Sequence, residues 1–211
     1  MTCPVRHMDI DKIELIAGHP ALDFVNTVEG RGGAEVVNYL EDYVLLLEWC
    51  CRAGLIEECL RRDLARRSAE HPVAGMRVWR RAMTLREDLN AVFRALVRAD
   101  TSPGPELGRI DDAVAEAHQR RRLRGEAHGK VAWGWRDASS GFDAPIWRLA
   151  LCAADLLTDD DARSRIKICA NGPCDWLFLD TSRNGKRRWC RMNVCGNATK
   201  VRRFRERQKN V

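Results

Sequence analysis

The chain has no apolar run long enough to span a bilayer. Its best candidate, "YVLLLEWCC" at 43–51, is short and is followed by charges. The first residues, "MTCPVRHMDIDK", lack the apolar stretch of a secretory signal. A soluble, cytoplasmic protein with no membrane contact is therefore expected. Catalytic signatures are missing too. His7, His19, His71, His118 and His128 show neither metal-ligand spacing nor pairing with a nucleophile. "GRGG" at 30–33 lacks the lysine and spacing of a phosphate loop and reads as a flexible turn. No Ser-His-Asp order and no catalytic carboxylate pair can be picked out, so an enzyme is not expected. Internal repeats and a helix-turn-helix motif are absent as well.

What is present begins with a sufficient core. The 211 residues are 45% hydrophobic and 31% charged, enough for one ordinary domain plus a small appended module. The net charge of +6 conceals an asymmetry. Residues 183–210 hold eleven basic residues against one acidic residue, Glu206, a balance of +10. The rest of the chain holds twenty-five basic against twenty-nine acidic residues, a balance of −4. A near-neutral body with a strongly basic end points to a polyanionic partner for that end alone.

Nine cysteines are many for a cytosolic chain, and spacing divides them. Cys3, Cys50, Cys51, Cys59 and Cys152 are scattered. Cys50, Cys51 and Cys152 lie in apolar helical surroundings and are expected to act as small buried hydrophobes. The others form an ordered set, Cys169-x4-Cys174, fifteen residues, then Cys190-x4-Cys195. Disulfides do not suit a reducing compartment. Two close cysteine pairs around a short spacer suit a tetrahedral thiolate site. Zinc is the default ion and iron the competitor.

The body reads as mainly α. "GHPALDFVNTVEGRGG" (18–33) suggests a short helix or turn ending in a glycine loop. Asn38 and Glu41 have capping-box spacing ahead of a helix whose stripe is Leu40, Tyr43, Val44 and Leu47. Gly54 fits the end of that helix. A second helix should stop at or before His71-Pro72, and a long one follows over 74–99, with Leu85, Leu89, Val92, Phe93 and Leu96 on one face. After the turn "TSPGP" (101–105), Leu107, Ile110, Val114 and Ala117 continue as another helix. "GKVAWGWRDASSG" (129–141) changes to period two, which predicts a strand or hairpin. Pro145 opens a last body helix, and "TDDD" (158–161) is a polar link. Two units are expected, a helical domain over 1–161 and a cysteine module over 162–211.

In the module, "SRIKIC" suggests a strand entering the first cysteine pair. "WLFLDTS" (176–182), the turn signal Asn184-Gly185, and "KRRWC" suggest a hairpin inside the spacer. "GNATKVRRFRERQK" after Cys195 reads as a helix. Knuckle, hairpin and helix make a treble-clef-like arrangement. So small a unit cannot order itself on apolar burial, whereas a bound metal contributes on the order of 10–16 kcal/mol. Backbone N–H groups just after Cys195 are expected to stabilise thiolate charge. Val201 and Phe204 are expected to pack onto the knuckle. Lys200, Arg203 and Arg207 share one helical face, and Arg202, Arg205 and Lys209 lie near another. With Arg187, Arg188 and Arg191 of the hairpin edge, they would make a preorganised phosphate-binding surface. About six phosphates engaged on duplex DNA would give a slope of log K on log salt near −5.

"WCRMNVCGNATK" resembles the CGNR-type zinc finger, whose motif places Gly-Asn-Arg after the last cysteine and a lysine downstream. "GHPALDFVNTV", "LEDYVLLLEWC" and "APIWRLALCAADLL" resemble the ABATE-type domain that precedes that finger. The resemblance spans nearly the whole chain in the expected order. It implies a bacterial transcription regulator with a helical sensing domain, zinc on Cys169, Cys174, Cys190 and Cys195, and DNA contact around Gly196, Asn197 and the following helix. The sequence departs from the motif at one position, with Ala198 where the family has arginine. Asn197 is retained as a possible helix cap.

Other candidates have plain structural readings. Asp23, Asn26 and Thr27 could line a ligand pocket, but polar residues in an apolar stretch more often cap helices or satisfy buried backbone. Trp133, Trp135 and Trp147 could wall a pocket for a small-molecule effector; their alternation favours core. The leading expectation is a DNA-binding regulator. Alternatives are a zinc module for RNA or for a protein such as RNA polymerase, and an enzyme with a purely structural zinc. A closed four-cysteine site leaves the metal no open position for catalysis.

Overall fold

The computed structural model of the chain describes residues 13–31, 36–100, 104–136 and 141–209. Cys3, the end of the "GRGG" turn and the start of the "TSPGP" turn lie outside them. Helix α1 (Pro20–Val25) starts at His19, whose Nδ1 accepts the Ala21 N–H at 3.2 Å. Its Ala21, Leu22, Phe24 and Val25 are buried. Strands β1 (Val28–Glu29) and β2 (Val37–Asn38) pair antiparallel.

Helix α2 (Tyr43–Arg52) is capped by Asp42, whose Oδ1 accepts the Leu45 N–H at 2.8 Å. The capping-box reading of Asn38 is corrected. Asn38 lies in β2, where its Oδ1 accepts the Leu40 N–H and an Arg86 N–H. Gly54 ends the helix with φ of +72°, a conformation open to glycine. Helices α3 (Glu58–Glu70) and α4 (Pro72–Arg98) meet at His71, with Pro72 in the first turn of α4 as its missing N–H allows. Helix α5 (Pro105–Arg120) packs on α4 and on α6 (Ala144–Thr158).

The core lies between α1, α2, α4 and α6. Phe24 and Trp49 meet with ring centroids 5.3 Å apart and share one buried cluster with Leu22, Leu46, Leu89, Phe93 and Leu149. Each such fully buried side chain contributes about 1.5–3 kcal/mol over an exposed one. Cys50 joins this core as a buried hydrophobe, and burial pushes its thiol pKa up; Cys51 and Cys152 are only partly buried.

The period-two segment is β4 (Val131–Trp135), and its partner is β3 (Arg121–Gly125), in register Arg121↔Trp135 to Gly125↔Val131. "RRLRG" has no strand composition, so the partner strand was not legible. The three tryptophans separate. Trp147 is core, Trp135 stacks on it at 6.0 Å, and Trp133 is 59% exposed, which corrects the expectation that all three are core.

Asp159 N-caps α7 (Asp160–Ser164), so the expected division at 161/162 falls inside a helix. Strands β5 (Ile166–Ile168) and β6 (Leu177–Leu179) pair antiparallel, and α8 (Asn197–Lys209) ends the described chain. Ile166, Leu177 and Phe178 belong to the same buried cluster as the body. The result is mainly helical, with three two-stranded sheets among the described residues. No described helix is long and apolar enough to cross a membrane.

Candidate metal centre and nucleic-acid interface

Cys169 and Cys174 sit in the connection between β5 and β6; Cys190 and Cys195 bracket the approach to α8. Their sulfurs all lie within 4.8 Å of one another, with Cys174–Cys190 at 3.5 Å and Cys190–Cys195 at 3.6 Å. A tetrahedron with metal–sulfur bonds of about 2.3 Å has edges of about 3.8 Å, so the residues fit a four-coordinate ion. Charge demands one. Thiol hydrogen bonds from Cys174 and Cys190, with N–H groups of Asn171 and Cys190, hold Cys169 low as a thiolate. The hydrogen bonds donated to Cys169 in turn push Cys174 up to about 12 and Cys190 higher still. Four sulfurs at these distances ionise together only around a cation. The N–H donors to sulfur come from Asn171, Trp176 and Cys190, not from the residues after Cys195 as expected. Cys195 and Gly196 direct their N–H groups to the Arg191 carbonyl.

The hairpin is not the expected one. β6 pairs with β5, and "KRRWC" is no strand. Asn184-Gly185 does turn the chain, with Gly185 at φ +60°. The returning segment is then held mainly by side chains. Lys167 Nζ donates to the carbonyls of Gly185 and Arg187 and to Asp180 Oδ2 at 2.6 Å. Asp180 is fully buried and accepts the N–H groups of Ser182 and Arg187. Burial works to raise its carboxyl, but Lys167, Ser182 and these N–H groups outweigh it and hold the group below the usual carboxylate range. One backbone bond, Ala170 N–H to the Arg188 carbonyl, joins this segment to the first knuckle.

A wide π-type turn over Met192–Gly196 runs straight into α8. Asn197 is thus already helical, and its side chain donates to the Asn193 carbonyl rather than capping N–H groups. Thr199 is buried; its hydroxyl donates to the Cys195 carbonyl at 2.8 Å. Asn171, between the first two cysteines, accepts from Arg202 at 3.1 Å. These bonds tie α8 to the centre. Val201 and Phe204 do not, being 49% and 62% exposed, against the expectation that they cover the knuckle.

The nine basic and polar candidates divide by their contacts. Arg187 donates to the carbonyls of Trp189 and Cys190 and lies over Phe178. Arg191 pairs with Glu14 of the body, and Arg202 with Asn171. Arg188, Asn197, Lys200, Arg203, Arg205 and Arg207 are exposed. Lys200, Arg203, Arg205 and Arg207 have no protein partner among the described residues.

Sequence reasoning missed how the finger sits on the body. Asn26 Nδ2 donates to the Leu177 carbonyl at 2.8 Å, and its Oδ1 accepts the Leu177 N–H at 3.1 Å. Leu179 N–H reaches the Ala17 carbonyl at 2.7 Å. Arg94 on α4 holds both the carboxylate and the carbonyl of Asp175 at 2.7 Å. Asp23 Oδ1 accepts the Ala17 N–H, and burial raises its carboxyl to about 6 against that bond. Asn26 is therefore a buried fastener of the interface, and Asp23 holds Ala17, whose carbonyl meets Leu179. Trp133 and Trp135 lie elsewhere, along a cleft that neither Asp23 nor Asn26 lines. The only advance signal was a run of polar residues within an apolar stretch.

Residues 165–208 match the CGNR zinc finger, and the four-cysteine cluster fits zinc binding. The sequence matches no curated protein. Residues 18–160, well over half the chain, match the ABATE family, described as "Putative stress-induced transcription regulator". The chain therefore belongs to the ABATE family and carries a CGNR zinc finger at its C-terminal side.

Proposed function

We propose that this protein is a cytoplasmic DNA-binding transcription regulator in which zinc fixes α8 as the reading element. The observation that carries the proposal is the state of α8. Its start is anchored to the four-cysteine centre through Thr199 and Arg202, which bond the Cys195 carbonyl and Asn171, while Lys200, Arg203, Arg205 and Arg207 are exposed and without a partner among the described residues. Arginine side chains on a fixed helix suit phosphates and guanine edges. Exposed Val201 and Phe204 on the same helix suit the apolar contact that a thymine methyl offers. Arg188 and Asn197 extend the surface. Arg187, Arg191 and Arg202 take positioning roles, because their guanidinium groups already hold backbone, Glu14 and Asn171.

The zinc neutralises thiolate charge and orders the finger. With four protein ligands it has no open position, so it supplies no catalysis. The body's two-point hold on β6 through Asn26 gives a ligand or partner bound there a physical connection to the finger. The exposed Val201 and Phe204 also favour a second reading, a protein partner such as RNA polymerase docking on α8. Binding of the zinc-loaded protein to duplex DNA across a salt series separates the two. DNA reading predicts a steep slope and an enriched sequence; protein docking predicts neither.

A further inference from the structure

Under the β3–β4 hairpin lies a cleft of about 910 Å³, far from any role described so far. Its floor is apolar, made by Leu55, Ile56 and Leu60 after α2 and at the start of α3. The indoles of Trp133 and Trp135 form one wall. Arg148 of α6 lines the same cleft, its guanidinium 4.6 Å from the Trp135 ring centroid.

Arg148 differs from the partly buried arginines of α4. Arg81 meets Asp143 and Glu116, Arg86 meets Glu87 and Asn38, and Arg94 meets Asp175. For Arg148 the described contacts are Trp135 and a single long bond, 3.3 Å, to the Ala144 carbonyl of its own helix. A guanidinium has five N–H donors, and withdrawing it from water costs free energy unless acceptors replace the water. Asp63 is engaged by Arg66 and Arg67, and Glu57 favours the Arg148 charge from a distance but makes no hydrogen bond or ion pair with it among the described residues. Burial accordingly lowers the Arg148 pKa.

We propose that this cleft binds a small aromatic monocarboxylate, its carboxylate on Arg148 and its ring between the tryptophan wall and the leucine–isoleucine floor. The size suits a small-molecule site, with an apolar floor and indole wall and a few charged groups at its edge, Arg148 and Arg124 against Glu57, Asp63 and Glu126. Glu57 and Glu126 at the cleft select against multiply charged anions such as phosphates. The site lies wholly in the helical body and is independent of what the finger binds.

The test uses 2-naphthoate and its neutral isostere 2-naphthamide as probes, titrated calorimetrically into the full-length zinc-loaded protein. Saturable naphthoate binding is expected, with naphthamide at least about 10-fold weaker, since a hydrogen bond to a charged group contributes roughly 1.5–3 kcal/mol. Arg148→Met should weaken naphthoate by a similar factor. Trp133→Ala, at an exposed position whose loss does not threaten folding, should weaken both probes together. The absence of saturable binding, equal affinity for the two probes, or naphthoate binding unchanged by Trp133→Ala would each overturn the proposal.

Discussion

Three arginines that look alike in sequence do different things in the finger. Arg187 spends its guanidinium on the Trp189 and Cys190 carbonyls, beside a zinc ligand, whereas Arg203 and Arg207 face solvent. Arg187→Ala should therefore loosen the metal, by roughly 10–100-fold in affinity as for other groups that support ligands. Arg203→Ala should leave zinc untouched and weaken DNA binding. Competition with a chromogenic chelator reads the first effect, and equal zinc retention in both variants would refute the division. Residue 198 is exposed on the first turn of α8, so the arginine usual there in the family would project outward. Ala198→Arg should strengthen duplex binding and steepen the salt slope by about 0.9. Asp23 makes a pH-dependent contribution of the opposite sign to an ordinary paired acid. With its pKa raised to about 6, the native state holds the proton more tightly than the unfolded chain does. Its contribution to stability is greatest below about pH 4, falls through the interval from 4 to 6, and is fully lost above it. The stability of the wild type relative to Asp23→Asn should drop by roughly 3 kcal/mol at most across that interval. Denaturant melts at pH 4 and 7.5 measure it, and a difference that rises with pH would contradict the sign. The four cysteines were legible because ligand spacing is local. The arginine roles were not, because each depends on which backbone groups the folded loop brings within reach.

At the scale of elements, β5 and β6 belong to two structures at once. The hairpin carries the first zinc knuckle, yet Leu177 and Phe178 are buried in the body's core and Asn26 holds Leu177 at both backbone groups. Chelating zinc, or Cys190→Ser, should therefore free residues 186–209 while Leu177–Leu179 remain protected. Hydrogen exchange resolved along the chain checks this; exchange at 177–179 as fast as in α8 would show that the metal alone orders the hairpin. The helices of the body were legible from 3.6-residue periodicity and from Pro72 and Pro145. The finger's hairpin was misread for a physical reason. Asn184-Gly185 is a turn, but β6 had already found its partner in β5, and Lys167 and Asp180 replace a strand ladder with side-chain bonds. β3 was missed because arginines can fill an exposed strand without leaving a hydrophobic pattern.

For the molecule as a whole, the sequence suggested two units and the structure joins them through one buried cluster. Removing the two-point bond at the junction tests how firmly. Asn26→Leu strands the Leu177 N–H and carbonyl in the interior, at a cost of about 1–3 kcal/mol for each group. The thermal midpoint should fall while zinc stays bound; a midpoint unchanged from wild type would mean that the junction contributes little. The charge asymmetry, +10 over residues 183–210 against −4 elsewhere, was the clearest whole-chain signal in the sequence. The structure adds that Arg187, Arg191 and Arg202 hold positioning contacts, while Arg183, Lys186 and Arg188 before α8 and Lys200, Arg203, Arg205 and Arg207 on it are exposed. Whether zinc presents α8 to DNA is read from the affinity of the zinc-loaded protein for a duplex pool across a salt series, with sequencing of the retained fraction. Five to six engaged phosphates predict a slope of log K on log salt of about −5 and an enriched motif, both lost on chelation. A slope shallower than about −1, or the same binding after zinc is removed, would contradict it.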